Sequence, residues 1–92
     1  MNLQKLMKQA KEAQKKLAEF DEEEFEFDYK KVIQIRIKGS LEILSINVDK
    51  ELVDPDDKTM LEEMIAEAIN EAIASVNEER NKATPFGMNM PF

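Results

Sequence analysis

The sequence predicts an α+β protein in the order helix, three antiparallel strands, long helix. Apolar residues recur with helical spacing from Asn2 to Phe20, then with a period of two, and again with helical spacing from about Pro55 to Lys82. The 92 residues allow one domain, 1–92, and no second lobe. A chain this short buries only about 60–65% of its unfolded surface, so we expect a homodimer to supply further core.

The first helix, predicted over residues 1–20, has two distinct sides. One side is apolar and recurs at spacings of three and four residues; we call it the apolar seam: Leu3, Leu6, Ala10, Ala13 and Leu17. The opposite side is basic; we call it the lysine strip: Lys5, Lys8, Lys11, Lys15 and Lys16. The strip could contact phosphates or be an ordinary solvated face. Periodicity and charge alone favour the solvated face, because lysine is a good helix former wherever it points.

A three-stranded sheet is predicted over residues 24–49. Phe25, Phe27 and Tyr29 alternate with carboxylates, which would repel a sugar–phosphate chain, so we expect core packing and not base stacking. The first turn is expected at Lys30-Lys31 and the second at Lys38-Gly39, where glycine would accept a positive φ. The alternation fails near Ile43 and Leu44. This predicts a bulge or burial on both faces.

The long helix is predicted over residues 55–82, with Asp54 as its N-cap and Pro55 in its first turn. Its apolar residues cover more than half of the circumference, which is wider than the stripe that one sheet face buries. A partner subunit is the expected second surface. The tail, residues 83–92, could be a docking peptide, a flap over an apolar groove or a frayed end.

Composition excludes the commonest catalytic chemistries. The chain has no His, Cys or Trp, so it lacks the residues of zinc fingers, thiol nucleophiles and imidazole catalysts. The acidic runs 21–24 and 54–57 do not match a calcium loop. We therefore expect no enzyme, metal or cofactor. The lack of Cys and of a long apolar span predicts a cytoplasmic protein with no membrane partner.

Charge is unevenly distributed along the chain. The net charge is −7, yet residues 1–17 and 30–40 each carry +4. Contact with a polyanion depends on cations within about 8 Å of the phosphates at physiological salt, so an acidic protein can still bind DNA through one basic face. Such binding is expected to be weak.

The order of several short segments resembles the YbaB/EbfC family of bacterial nucleoid-associated proteins. The resemblance runs almost from end to end, and it rests on the order and spacing of the segments. They are Leu6-Met7-Lys8-Gln9-Ala10, Ile46-Asn47-Val48-Asp49 with Leu52, an acidic cap before Met60-Leu61-Glu62-Glu63-Met64, Ala68-Ile69-Asn70-Glu71-Ala72, and Gly87-Met88-Asn89-Met90-Pro91-Phe92.

The resemblance implies a homodimer whose helices project like tweezers. It implies binding of double-stranded DNA, with little or modest sequence preference, by a nucleoid-associated protein. By position, the family's DNA contacts map onto the lysine strip, and also onto Arg80 and Lys82 near the end of the long helix.

Two other interpretations stay open. An acidic dimeric protein-interaction module or adaptor, with weak or no DNA binding, is favoured by the −7 charge and by the acidic outer side of the long helix. Its protein partner would be unknown. Binding of the first helix to anionic lipid is less favoured, because Ala10 and Ala13 suit close helix packing better than bilayer insertion.

Overall fold

A computed structural model describes residues 2–83, and the tail beyond them, with its methionines and phenylalanines, lies outside the described residues. The order helix, three strands, long helix is confirmed. The elements are α1 (Leu3–Glu22), β1 (Glu24–Tyr29), β2 (Ile33–Lys38), β3 (Ile43–Val48), two 3-10 turns (Lys50–Leu52 and Pro55–Asp57) and α2 (Lys58–Ala83). Neither of the two helices is long and apolar enough to cross a membrane.

Helix α1 is capped at both ends. The side chain of Asn2 accepts hydrogen bonds from the backbone N–H groups of Gln4 and Lys5, at 3.0 and 3.4 Å. The helix ends at Glu22, two residues beyond the predicted end at Phe20. At that end, the backbone N–H of Glu23 donates to the carbonyl oxygen of Phe20 at 3.0 Å.

The sheet is antiparallel with strand order β1-β2-β3. Its register places Phe27 opposite Ile35 and Tyr29 opposite Ile33, so the aromatic residues of β1 share a face with the isoleucines of β2. Those isoleucines are fully buried and Tyr29 is 3% exposed. Core packing of Tyr29 is therefore confirmed. The other face is polar, and on it Arg36 pairs with Glu24.

Strand β3 contains the bulge that its sequence predicts. The register shifts between Arg36 and Ile37 of β2, whose partners are Ser45 and Ile43, so Leu44 is the extra residue. Burial on both faces is excluded, because Leu44 and Ile46 are each 39% exposed.

The structure confirms the predicted first turn of the sheet, but in the second turn glycine is needed for a different reason from the predicted one. The first turn is confirmed: Lys30 and Lys31 have φ of 50° and 64°, and the N–H of Val32 donates to the carbonyl oxygen of Tyr29 at 3.0 Å. Gly39 was expected to need a positive φ, and this is wrong. Leu41 has the positive φ, 76°, whereas Gly39 is required because a Cβ there would lie 1.9 Å from the carbonyl oxygen of Phe20.

Helix α2 packs on β2 and, less extensively, on β1. Three small or β-branched residues on one stripe of the helix are buried against the sheet: Ala68, Ala72 and Val76. The prediction began this helix at Pro55, but Pro55–Asp57 is a separate 3-10 turn. Asp54 caps that turn by accepting a hydrogen bond from the N–H of Asp56 at 2.9 Å, as its sequence position predicts.

The described protomer is elongated. Its extents are 65 × 26 × 16 Å and its radius of gyration is 17.9 Å, compared with about 12 Å for a compact chain of this length. All residues from Asn2 to Lys8 are exposed, whereas Phe20, near the other end of α1, is buried. Helix α1 is thus anchored by its C-terminal end and projects from the body.

Tyr29 of β1 forms a hydrogen bond with α2, and this contact predicts that the folded protein loses stability at alkaline pH. Its hydroxyl donates to the carboxylate of Glu67 at 2.7 Å, and this bond, with burial, raises the pKa of Tyr29. Lys30 lies 5.1 Å from the centre of the Tyr29 ring, and its pKa is raised by Tyr29 and then by Glu67. Both groups hold their protons more tightly when folded, so the stability they contribute is present below about pH 10 and lost as the pH rises through the folded pKa values.

We therefore expect the free energy of unfolding to fall as the pH rises above about 10. Urea unfolding across this range should show a steeper fall for the wild type than for Tyr29→Phe, which lacks the titrating hydroxyl. Identical pH dependence in the two proteins would contradict this linkage.

Candidate nucleic-acid interface

The lysine strip lies on the projecting part of α1. All five of its side chains are exposed. At about 100° per residue they fall within an arc of about 140°, and at about 1.5 Å per residue they extend over about 16 Å. Double-stranded DNA of that length carries about ten phosphates. The strip therefore has the length and the charge to follow a duplex backbone.

The ammonium groups of the lysine strip have no carboxylate partner among residues 2–83. Of the basic residues elsewhere, Lys38 lies 2.9 Å from Glu22, and Lys82 lies 3.6 Å from Glu79 and 3.8 Å from Glu78. The strip is therefore the largest group of cations in the described protomer that is available to an external anion. Three acidic side chains of α1 lie within its arc: Glu12 among the lysines, and Glu19 and Glu22 nearer the C-terminal end of the helix.

Gln4 lies beside the lysine strip, and the sequence interpretation did not include it. It lies within the same arc as the lysines and is exposed. Its side-chain amide can donate to a phosphate oxygen, as glutamines commonly do on DNA. Its angular position on the helix could have revealed it, but a search for charge alone passes over a neutral side chain.

The apolar seam is exposed at the N-terminal end of α1 and half-buried towards the C-terminal end, which we call the base of α1. Leu3 is 69% exposed and Leu6 is 44% exposed, whereas Ala13 and Leu17 are half-buried. Ala10 and the neighbouring Met7 are also exposed. The described protomer therefore leaves much of the outer half of the seam exposed, and the lysine strip lies on the opposite side of the helix.

Arg80 of α2 contacts residues at the base of α1 and so connects the two helices. Its guanidinium donates to the carboxylate of Asp21 at 2.8 Å and to the carbonyl oxygen of Gly39 at 2.6 Å, and it lies 5.1 Å from the centre of the Phe20 ring. A planar guanidinium suits this arrangement because it can donate in several directions while stacking on a ring. Arg80 thus sets the direction in which the lysine strip projects.

Arg80→Lys tests this positioning role. A single ammonium cannot reproduce the fork and the stacking, so we expect the free energy of unfolding to fall by about 1–3 kcal/mol. Urea denaturation measures that loss. Because the charge is kept, the salt dependence of DNA binding by the folded variant should be unchanged. Unaltered stability together with weakened DNA binding would instead identify Arg80 as a phosphate contact.

The outer side of α2 is unsuited to phosphate. Glu63, Glu67 and Glu71 are all exposed there. Among the described residues, no group of three or more His, Cys, Asp or Glu side chains could hold a metal ion that would neutralise them. This side of α2 would therefore repel a polyanion, whereas the lysine strip of α1 would attract one.

Comparison with known proteins identifies the family of the chain. The profile of the YbaB/EbfC DNA-binding family matches residues 1–85. A nucleoid-associated protein of Malacoplasma penetrans is 56% identical over 92 aligned residues, covering 96% of this chain and 98% of that protein. Nucleoid-associated proteins of Ureaplasma urealyticum and Clostridium novyi are 46% and 37% identical, covering 88% and 99% of this chain and 86% and 87% of their own lengths.

Proposed function

Since the chain belongs to the YbaB/EbfC DNA-binding family, we propose that it binds double-stranded DNA as a homodimer, with the lysine strip of each subunit on the phosphates. The observation that carries the proposal is the strip itself, whose five exposed ammonium groups have no carboxylate partner in the described part of the chain. Phosphate contacts carry no base identity, so little sequence preference follows.

A homodimer is supported by the uncovered part of the apolar seam. Leu3, Leu6 and Met7 are large apolar side chains exposed on one side of a helix, and packing against a partner subunit would remove them from water. Dimerisation also doubles the number of lysine strips. Two weak sites on one particle then bind a long duplex as a single bivalent site.

Arg80 and Lys82 were also predicted to contact DNA. Both side chains already contact carboxylates, Arg80 at Asp21 and Lys82 at Glu78 and Glu79. We therefore propose the lysine strip as the principal contact. The role is one of binding and not of catalysis, and such binding would locate the protein in the cytoplasm at the nucleoid. Its relatives are named nucleoid-associated proteins.

Duplex binding measured against salt tests this function. If five phosphates are engaged per subunit, ten per dimer, the logarithm of the affinity should fall with the logarithm of salt concentration at a slope of about −9. The mass of the particle in solution should be that of two chains. A slope near zero, or no binding at low salt, would exclude the electrostatic mechanism.

The acidic adaptor is the competing function, favoured by the net charge of −7 and by the exposed glutamates of α2. Purification distinguishes the two. Nucleic acid that co-elutes at low salt and is released by high salt supports DNA binding, whereas a stoichiometric protein that remains bound in high salt supports the adaptor.

A further inference from the structure

The outer edge of strand β1 presents backbone groups that have no strand partner. The sheet order is β1-β2-β3, so within residues 2–83 only one side of β1 is paired. The N–H of Gly39 donates to the carbonyl oxygen of Glu23 at 2.9 Å, which shows that this carbonyl points towards β2. Successive residues of a strand alternate in direction, so the backbone groups of the odd-numbered residues of β1 also face β2. Those of the even-numbered residues face outwards: Glu24, Glu26 and Asp28.

The residues with outward-facing backbone groups are also the acidic residues of β1. Their side chains are exposed on the face of the sheet opposite α2. Glu24 is paired with Arg36 of the neighbouring strand. Glu26 and Asp28 have no ion pair among residues 2–83. An added strand would therefore meet negative charge that the described protomer does not neutralise.

Carboxylates of α2 lie on the other side of the same edge. The hydroxyl of Tyr29 donates to Glu67 at 2.7 Å, so this side of α2 lies next to β1. Glu63 and Glu71 are one helical turn before and after Glu67, and all three are exposed. Lys30, which lies 5.1 Å from the centre of the Tyr29 ring, offsets part of this charge. The β1 edge is thus bordered by carboxylates on both faces of the sheet.

Two aromatic side chains at this edge are only half-buried. They are Phe25 and Phe27, which lie on the α2 face between the acidic residues of β1. The side chains of an added strand would alternate between the two faces of the sheet. Apolar residues at every second position would cover the two phenylalanines, and basic residues at the positions between them would lie opposite the carboxylates of β1.

We propose that the β1 edge binds an extended segment of a partner protein, in which basic and apolar residues alternate, as an added antiparallel strand. Backbone hydrogen bonds supply affinity in this mode of recognition, and alternate side chains supply specificity. The carboxylates repel the β1 edge of a second copy of the chain and attract a strand of opposite charge. At about 3.4 Å per residue, the six residues of β1 accommodate a segment about 20 Å long. The site uses no residue of the lysine strip, so the inference does not depend on the proposed DNA binding.

A peptide of alternating lysine and valine, as long as β1 and blocked at both ends, tests the site on the full chain. Titration followed by NMR gives the dissociation constant, and the spectrum of each variant checks its folding. Glu26→Lys places a like charge opposite a peptide lysine, so binding should weaken about tenfold. The matched control is Glu51→Lys, which makes the same change of charge at an exposed position after β3 and should weaken binding about twofold or less. Equal losses in the two variants, or no binding to the wild type, would overturn the inference.

Methylation of the peptide backbone separates strand addition from simple charge attraction. In the proposed register the peptide lysines lie opposite the carboxylates of β1, so their N–H groups face β1 and those of the valines face away. Methylating the lysine backbone nitrogens should abolish binding, whereas the peptide methylated at the valine nitrogens should bind nearly as well as the original. Both peptides keep the same charge. Equal binding by the two methylated peptides would overturn the strand addition.

Amide hydrogen exchange locates the added strand on the wild-type protein. The N–H groups of Glu26 and Asp28 face outwards in the free protomer, so saturating peptide should slow their exchange by about tenfold or more. The N–H of Phe27 already faces β2 and serves as the internal control, with a smaller change expected. Unchanged exchange at Glu26 and Asp28 in the presence of bound peptide would place the peptide elsewhere and overturn the inference.

Discussion

Replacing Lys8, Lys11 and Lys15 by glutamate is expected to weaken duplex binding by more than about 1000-fold at ~0.1 M salt. The three side chains are exposed on one side of α1 and have no ion pair within residues 2–83. In a homodimer the three substitutions remove six of ten proposed phosphate contacts. Each new glutamate also repels the phosphate that the lysine would have contacted. The slope of log affinity against log salt should fall from about −9 to about −4. Fluorescence anisotropy with a labelled duplex at several salt concentrations measures both quantities.

The matched control replaces Lys31, Lys50 and Lys58 by glutamate, which changes the net charge by the same amount. These residues are exposed in the first turn of the sheet, after β3 and at the start of α2, away from the base of α1. Affinity in this control should fall only by the general effect of added negative charge, about tenfold or less. Equal losses in the two variants would mean that net charge, and not the lysine strip, governs binding.

Gly39→Ala is expected to lower the free energy of unfolding by about 3 kcal/mol, because an added Cβ overpacks a closed site. That atom would lie 1.9 Å from the carbonyl oxygen of Phe20 and 2.6 Å from its ring Cδ1. The carbonyl cannot easily move, since it accepts the N–H of Glu23 at the end of α1. Thermal unfolding should show a midpoint lower by about 4–8 °C for each kcal/mol lost.

Ser40→Ala serves as the neighbouring control, because Ser40 is exposed in the same turn. Its stability should stay within about 0.5 kcal/mol of the wild type. A Gly39→Ala protein as stable as this control would show that α1 can shift away from the turn without loss. The close contact would then not be what holds α1 in place.

Local patterns predicted much of the fold. The period of two along β1 and β2 placed Tyr29 and Ile35 in the core, and the failed alternation at Leu44 marked the bulge, because these signals depend only on neighbouring residues. The prediction of a positive φ at Gly39 was wrong. The sequence suggests a turn glycine there, but the reason for glycine is its contact with Phe20, nineteen positions away in the chain.

By itself, the sequence determined the order of the elements and the separation of lysines from apolar residues on α1, since helical and strand periodicities are properties of short segments. Only the tertiary structure decided which cations already have partners and which apolar surfaces stay open. Arg80 contacts Asp21, and α2 lies mainly over β2 and β1. Both facts depend on packing between segments that are distant in the chain. The side-chain periodicity of one segment does not indicate which distant segment will pack on that segment.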